Sequence, residues 1–287
     1  MEYLNIPDSI FLDTLLSVPN LDPYKLLGLF FLGLMRFVPI AALAPFMGAK
    51  VMPIPARVGL AVFLSIIYIP VMLTTATGPI AINFGFFGYL LKELIVGFVL
   101  AFLVSIPFFI AQSSGIIIDF MRGSSQLMAQ DPTMQNQVSS IGILYNYILI
   151  YMFFQLDGLL LFLDGIQTTF QLIPVNEVVP SKLMQFNTQP FLFFSQIMGK
   201  IFALAIQLGA PSILAILMAE FFLGIANRMA PQVQIAFLGM SLKSLMGLFL
   251  LWVGWQFILK NVITESLDFL KATNTLAETL IRVSSQG

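Results

Sequence analysis

The sequence contains no cysteine and no histidine. Without cysteine there is no disulfide, no thiolate nucleophile and no thiolate metal site. Without histidine the usual general base and every His-dependent triad are missing, as is the commonest metal ligand. Charge is scarce as well. Asp, Glu, Lys and Arg make up 9% of the residues, against about 25% in a soluble domain, too few to cover a surface facing water. A net charge of -1 and the lack of a long basic run argue against nucleic acid as a partner. Residues 1–8 have neither a basic region nor an apolar run, so no cleaved signal peptide is expected. No cofactor is expected either.

What is present is apolar. Of the 287 residues, 59% are hydrophobic and the mean hydropathy is +0.95. A membrane-spanning helix needs about 20 mostly apolar residues. Six stretches meet or approach that length: residues 26–47, 58–74, 84–112, 138–170, 191–225 and 233–262. The third, fourth and fifth exceed a simple span and are expected to be bent, tilted or split. Pro53, Pro55, Pro79, Pro132, Pro174, Pro180 and Pro190 punctuate the connectors, where proline ends a helix or sets a turn. The expectation is an all-α, polytopic membrane protein of about six hydrophobic segments arranged as hairpins. It forms a single membrane-embedded domain over residues 1–287, with polar ends at 1–24 and 263–287. Basic residues at alternate ends of the segments number four against five, so their bias assigns no orientation.

Arg36, Lys92, Glu93, Asp157, Asp164, Lys200, Glu220 and Lys243 lie in or at the edges of the apolar segments. A charge at a lipid-facing helix centre costs about 2.5–3.5 kcal/mol, so these side chains must face protein or water, as structural ion pairs or as the lining of a conduit. Gly85, Tyr89, Glu93, Gly97, Ala101 and Ser105 recur every four residues on one helix face. Small residues there allow close helix approach, which places Glu93 and Gly97 in a helix–helix contact. Lys92 is off that face and is expected to seek another neighbour. Folding the chain back around Met229–Gln232 brings Glu220 level with Lys243, and Gly224 level with Gly239. Asp157 and Asp164, seven apart, are expected to share a face, as a carboxylate relay or as caps at Gly158 and Gly165.

Between residues 112 and 137 the chain is rich in Ser, Gln, Gly and Met, with Asp119, Arg122 and Asp131 its only charges. Met121, Met128 and Met134 can conform to irregular surfaces. Gly115 and Gly123 bracket the stretch and would let the backbone leave a helix. Two readings fit: a re-entrant or interfacial loop, or a seal.

Two runs are distinctive. One is Gly115-Ile116-Ile117-Ile118-Asp119-Phe120-Met121-Arg122-Gly123, continuing through Ser124-Ser125-Gln126 and Met128 to Asp131-Pro132. The other is Leu223-Gly224-Ile225-Ala226-Asn227-Arg228-Met229-Ala230-Pro231-Gln232, followed by Gly239 and Leu242-Lys243-Ser244-Leu245. With Arg36-Phe37, Pro45-Phe46, Arg57-Val58-Gly59-Leu60 and Lys92-Glu93-Leu94-Ile95-Val96-Gly97, they resemble the FliR/SctT family over residues 25–262. These are the R or T subunits of the type III secretion export gate.

The resemblance implies a non-enzymatic, multi-pass protein of the bacterial inner membrane, in a flagellum or a virulence injectisome. It would assemble with P/R-type and Q/S-type gate subunits into a pore. A B/U-type switch protein and an A/V-type export ring would be further partners, and unfolded polypeptides would pass through. In such proteins the stretch matching residues 115–132 contributes to closing the pore. That marks Gly115, Asp119, Phe120, Met121, Arg122, Gly123, Ser124, Gln126, Met128, Asp131 and Pro132 as closure residues. Glu93, Gly97, Glu220, Gly224, Asn227, Arg228, Pro231, Gln232, Gly239 and Lys243 are the structural and interface candidates. Family members often carry histidine after the glycine matching Gly158; this chain has Leu159, so no role of that histidine carries over. A secondary transporter or small-solute channel is the alternative, although the two halves show no pairing of broken helices. An intramembrane aspartyl enzyme using Asp157 and Asp164 is a third reading.

Overall fold

The computed structural model describes residues 22–48, 52–76, 80, 83–123, 139–177, 189–229, 235–253, 256 and 260, without the side chains at 189–198, 200, 235–238, 240 and 250. Among these residues all regular structure is helical. The helices are α1 (Pro23–Leu43), α2 (Ile54–Ile67), α3 (Ile69–Thr75), α4 (Phe84–Met121), α5 (Ser140–Gln155), α6 (Gly158–Leu172), α7 (Gln189–Met229) and α8 (Ile235–Val253), with a 3-10 turn at Pro45–Met47. Three of them, α1, α4 and the 201–229 part of α7, are long and apolar enough to cross a membrane. The count rises to five if the bent pairs α2–α3 and α5–α6 each make one span. The second and fourth expected segments are thus broken, whereas the third and fifth are single long helices.

Local chemistry sets the ends and breaks. Asp22 starts α1, its Oδ1 accepting from the Tyr24 N–H at 3.0 Å, with Pro23 at the first helical position. Between α2 and α3 the axis bends by 47°. Pro70 lies there: it has no N–H to offer the Ile66 carbonyl, and its ring crowds that oxygen. Between α5 and α6, Asp157 takes a left-handed φ of 55°, uncommon outside glycine. Asp157 and Asp164 therefore do not share one helix face. Asp157 sits in the break, Asp164 lies inside α6, and both are exposed.

The chain divides into two compact units. One draws on Met1–Ser105 and Leu159–Asn187, the other on Ile106–Gly158 and Thr188–Phe269. Helix α4 passes from one to the other just before Pro107.

In the first unit, α1 buries Leu29, Leu32, Arg36, Phe37 and Ile40 at three- and four-residue steps. Phe37, Tyr68 and Phe170 form an aromatic cluster, with ring centroids 5.2 to 6.1 Å apart. Tyr68 also donates its hydroxyl to the Leu163 carbonyl at 2.8 Å, fastening α6. On the α4 stripe, Glu93, Gly97, Ala101 and Ser105 are buried, while Gly85 is exposed and Tyr89 half-buried.

Gly97 shows why the stripe is small. A Cβ there would run into the Arg36 carbonyl oxygen and lie 2.7 Å from Pro39 Cγ. Backbone cannot move aside as a side chain can, and overpacking of this kind costs about 1–3 kcal/mol. Gly88, on the same helix, has nothing within 4 Å of such a Cβ. Gly97→Ala is therefore expected to lower the thermal unfolding midpoint of the purified protein by several degrees, and Gly88→Ala to leave it unchanged or slightly higher. Equal midpoints for the two variants would show that the α1–α4 contact is looser than this.

Candidate functional site

Three groups of polar side chains interrupt the apolar interior. The first joins α1, α4 and the end of α6. Arg36 and Glu93 are wholly buried. Arg36 Nε and Nη2 donate to the two Glu93 carboxylate oxygens, at 2.5 and 3.0 Å, in a two-pronged pair. The remaining donors reach Thr169 Oγ1 at 3.2 Å and the Ile173 carbonyl at 2.9 Å. The guanidinium stacks 3.9 Å over the Phe170 ring. Lys92 joins rather than avoiding this group. Its Nζ lies 2.7 Å from Glu93 Oε1, and it donates to the carbonyls of Pro174, Val175 and Glu177 at 2.6, 3.2 and 3.0 Å. The expectation that Lys92 must find a different neighbour missed the reach of its four-carbon stem.

The second group lies where α4 ends. Helix α4 continues through Gly115 to Met121, past the expected end at residue 112. Gly115 is thus not a point where the backbone leaves the helix. It is buried against the backbone of Gly142 at the start of α5, too close for any Cβ. The chain departs at Gly123, with φ 95°.

Asp119 ties the two helices together. Its Oδ2 accepts from the Ser139 hydroxyl at 2.6 Å and from the Ile141 N–H at 3.0 Å. Its Oδ1 accepts from Arg122 Nη2 at 2.5 Å. Ser139 in turn caps α5, accepting from the Gly142 N–H at 2.9 Å. A carboxylate at a helix N-terminus is favoured by the free N–H groups and the helix dipole. The Arg122 stem lies over Gly247 of α8, where an added Cβ would come within 3.2 Å, and its Nη1 reaches Ser244 Oγ at 3.5 Å. Met121 is half-buried, and Phe120 is 63% exposed. Ser124, Gln126, Met128, Asp131 and Pro132 lie outside the described residues.

The third group is on α7 and α8. Lys243 and Glu220 form an ion pair, the register that folding the chain near 230 requires. Glu220 is 52% exposed in its side chain, so the pair is not an interior one. The glycines do not meet as expected: Gly224 faces open space, and buried Gly239 is covered by Leu223 instead. The larger side chain one residue earlier turns onto α8 and takes the place assigned to the glycine. Asn227 and Arg228 are exposed in the last turn of α7, where a cation suits the helix dipole. Pro231 and Gln232 lie outside the described residues.

Sequence reasoning missed Ser139, Gly142 and Thr169, and the contact of Arg122 with Ser244 and Gly247. Ser139 had a signal, a serine just ahead of an apolar run. The others act through contacts distant in sequence.

Burial separates the two long-range ion pairs in energy. Removing one member of a buried pair leaves an uncompensated charge, at a cost of about 3–5 kcal/mol. The Glu220–Lys243 pair is only partly enclosed, so the protein itself strands a lone charge there less completely. Glu93→Leu alone, which strands Arg36, is expected to abolish recovery of folded protein; Arg36→Met, which leaves Lys92 on Glu93, is expected to lower it less, and the double variant to recover more than Glu93→Leu. Glu220→Gln or Lys243→Met alone is expected to lower thermal stability less than Glu93→Leu does. Additive losses at Arg36 and Glu93 would show that they do not act as a pair.

Residues 27–268 match the family model described as bacterial export proteins, family 1. The flagellar biosynthetic protein FliR of Bacillus subtilis is 28% identical over 257 residues, covering 86% of this chain and 96% of that protein. The secretion system apparatus protein SsaT of Salmonella typhimurium is 26% identical over 187 residues, 65% of this chain and 70% of SsaT. The Yop proteins translocation protein T of Yersinia pestis is 32% identical over 153 residues, 53% of this chain and 57% of that protein. With a family match over most of its length and relatives in both flagellar and secretion apparatus, the chain belongs to the bacterial export proteins of family 1, the FliR/SctT family of the type III export gate.

Proposed function

We propose that this chain is a pore-forming, non-enzymatic component of a type III export gate in the bacterial inner membrane. It assembles there with P/R-type and Q/S-type subunits and passes unfolded polypeptides. The family match over residues 27–268 carries this reading. A B/U-type switch protein, an A/V-type export ring and membrane lipid complete its surroundings. Its exposed surface supports the reading: Phe87, Leu91, Phe98, Phe202, Phe222 and Trp252 are all open in the single chain. Such a surface is covered by lipid or by other apolar subunits, not by water.

The stretch 115–132 contributes to closing the pore. Within it Gly115, Asp119 and Arg122 hold the end of α4 to α5 and α8, and Phe120 presents an open aromatic ring. The closure surface itself is then assigned to Phe120, Met121 and the uncharged Ser, Gln and Met residues that follow. Such side chains exclude water and ions without binding a passing chain as fixed charges would.

The experiment has two arms. The full-length chain, expressed with the two small gate subunits, should co-purify with both from detergent extract. A stable monomer that binds neither contradicts the gate assignment. Deleting residues 124–130 should leave that complex intact and make the membrane permeable to ions or small dyes when no substrate is in transit. An intact complex in a membrane as tight as wild type removes the closure role and leaves the stretch a connector.

A further inference from the structure

Helix α6 differs from the other long helices. Its buried side is apolar, with Phe162, Ile166 and Phe170 packed into the first unit. Its exposed positions are Leu160, Asp164, Gln167 and Gln171, at steps of four, three and four on one face, with Thr168 half-buried beside them. Exposed positions on the other long helices are mostly apolar: Phe87 and Phe98 on α4, Tyr147 and Phe154 on α5, Phe202 and Phe222 on α7. In a chain with 9% charged residues this concentration of polar groups requires water or hydrogen-bonding partners, because lipid supplies neither.

The turn that follows the same helix is tied into the first unit. The carbonyls of Ile173, Pro174, Val175 and Glu177 accept from Arg36 or Lys92, whose side chains are 0% and 9% exposed. Two cations are committed to these carbonyls just past Leu172, while the outward face of the helix stays polar. The combination describes a helix with an apolar buried side, an exit anchored to α1 and α4, and a polar open side.

We infer that the Asp164–Gln167–Thr168–Gln171 face of α6 forms part of the wall of a water-filled path, and that its occupant is the unfolded polypeptide in transit. The inference rests on the gate reading and extends it to a named surface. Glutamine amides can donate and accept, and the Thr168 hydroxyl, which donates to the Asp164 carbonyl at 3.1 Å, can accept, so they match the backbone of any sequence. In water such bonds are weak and exchange readily. They keep a moving chain hydrated and release it. Asp164 is the one fixed charge on the face.

The absence of native cysteine makes the test direct. Single cysteines replace Asp164, Gln167 or Gln171, with Phe98→Cys on the apolar face of α4 and Asp22→Cys at the exposed start of α1 as references. The probe is a charged, membrane-impermeant maleimide, applied to cells carrying the complete apparatus. The three α6 positions should react and Phe98→Cys should not. A polypeptide stalled in transit by a fused, tightly folded domain should slow labelling several-fold at the three positions and not at Asp22→Cys. Silent cysteines at Gln167 and Gln171 overturn the inference, because the face is then covered by lipid or a subunit. Labelling that a stalled chain does not slow also overturns it, placing the face in water outside the path. Neither result touches the gate reading, which fails separately if the unmodified chain does not co-purify with the other gate subunits.

Discussion

A charged side chain in an apolar helix must find its counter-charge and hydrogen bonds within the protein or in water, because lipid offers neither. The Arg36–Glu93 pair is the clearest consequence. Both groups are wholly buried, yet every nitrogen of the guanidinium has an acceptor and both carboxylate oxygens have donors. One pair thereby orders three segments: α1 supplies the arginine, α4 the carboxylate, and the end of α6 the carbonyls that absorb the remaining donors. Lys92 extends the arrangement to residue 177. A buried pair of this quality specifies geometry more than it adds stability, since the desolvation of two ions offsets much of their attraction.

The second unit solves the same problem at α4's other end. Asp119 is neutralised by Arg122 one turn away and accepts from the start of α5, so a single carboxylate serves as ion partner and helix cap. In both units the charge sits beside a glycine crossing, Gly97 against α1 and Gly115 against Gly142. The juxtaposition is physical. Side-chain bonds of 2.5–3 Å between helices need backbones that approach closely, and only a residue without a Cβ permits that approach. The polar face of α6 follows from the same economy. Where polar groups are few, those left open in the single chain must find water or a hydrogen-bonding subunit.

Much of this could be read before any coordinates. The apolar runs foretold helices, and the four-residue stripe through Glu93 and Gly97 foretold which face of α4 is buried. The fold-back near residue 230 foretold the meeting of Glu220 and Lys243. Periodicity and register are local quantities, so they survive in sequence. The errors share a cause as well. Gly115 was expected to break a helix, but glycine also serves close packing, and only Gly142, 27 positions on, decides between the two. Gly224 and Gly239 were placed level, but a helix turns 100° per residue, so Leu223 rather than Gly224 faces α8. The partnership of Arg36 with Glu93 spans 57 positions and has no local signature. Asp119, by contrast, keeps its place among the closure candidates and has a second duty. Its hydrogen bonds make it an anchor, and residues assigned beside it at 124–132 lie outside the described residues.

The central claim is that this chain forms part of the wall of a polypeptide-conducting pore. A structure of the detergent-extracted gate complex, determined with its partner subunits present, tests that most directly. The account predicts that this chain borders a central channel, with Phe120 and Met121 close to its axis and the aromatic faces of α4 and α7 covered by neighbouring subunits or lipid. A complex in which this chain sits on the periphery, with no side chain on the channel and its apolar faces wholly in lipid, would contradict it.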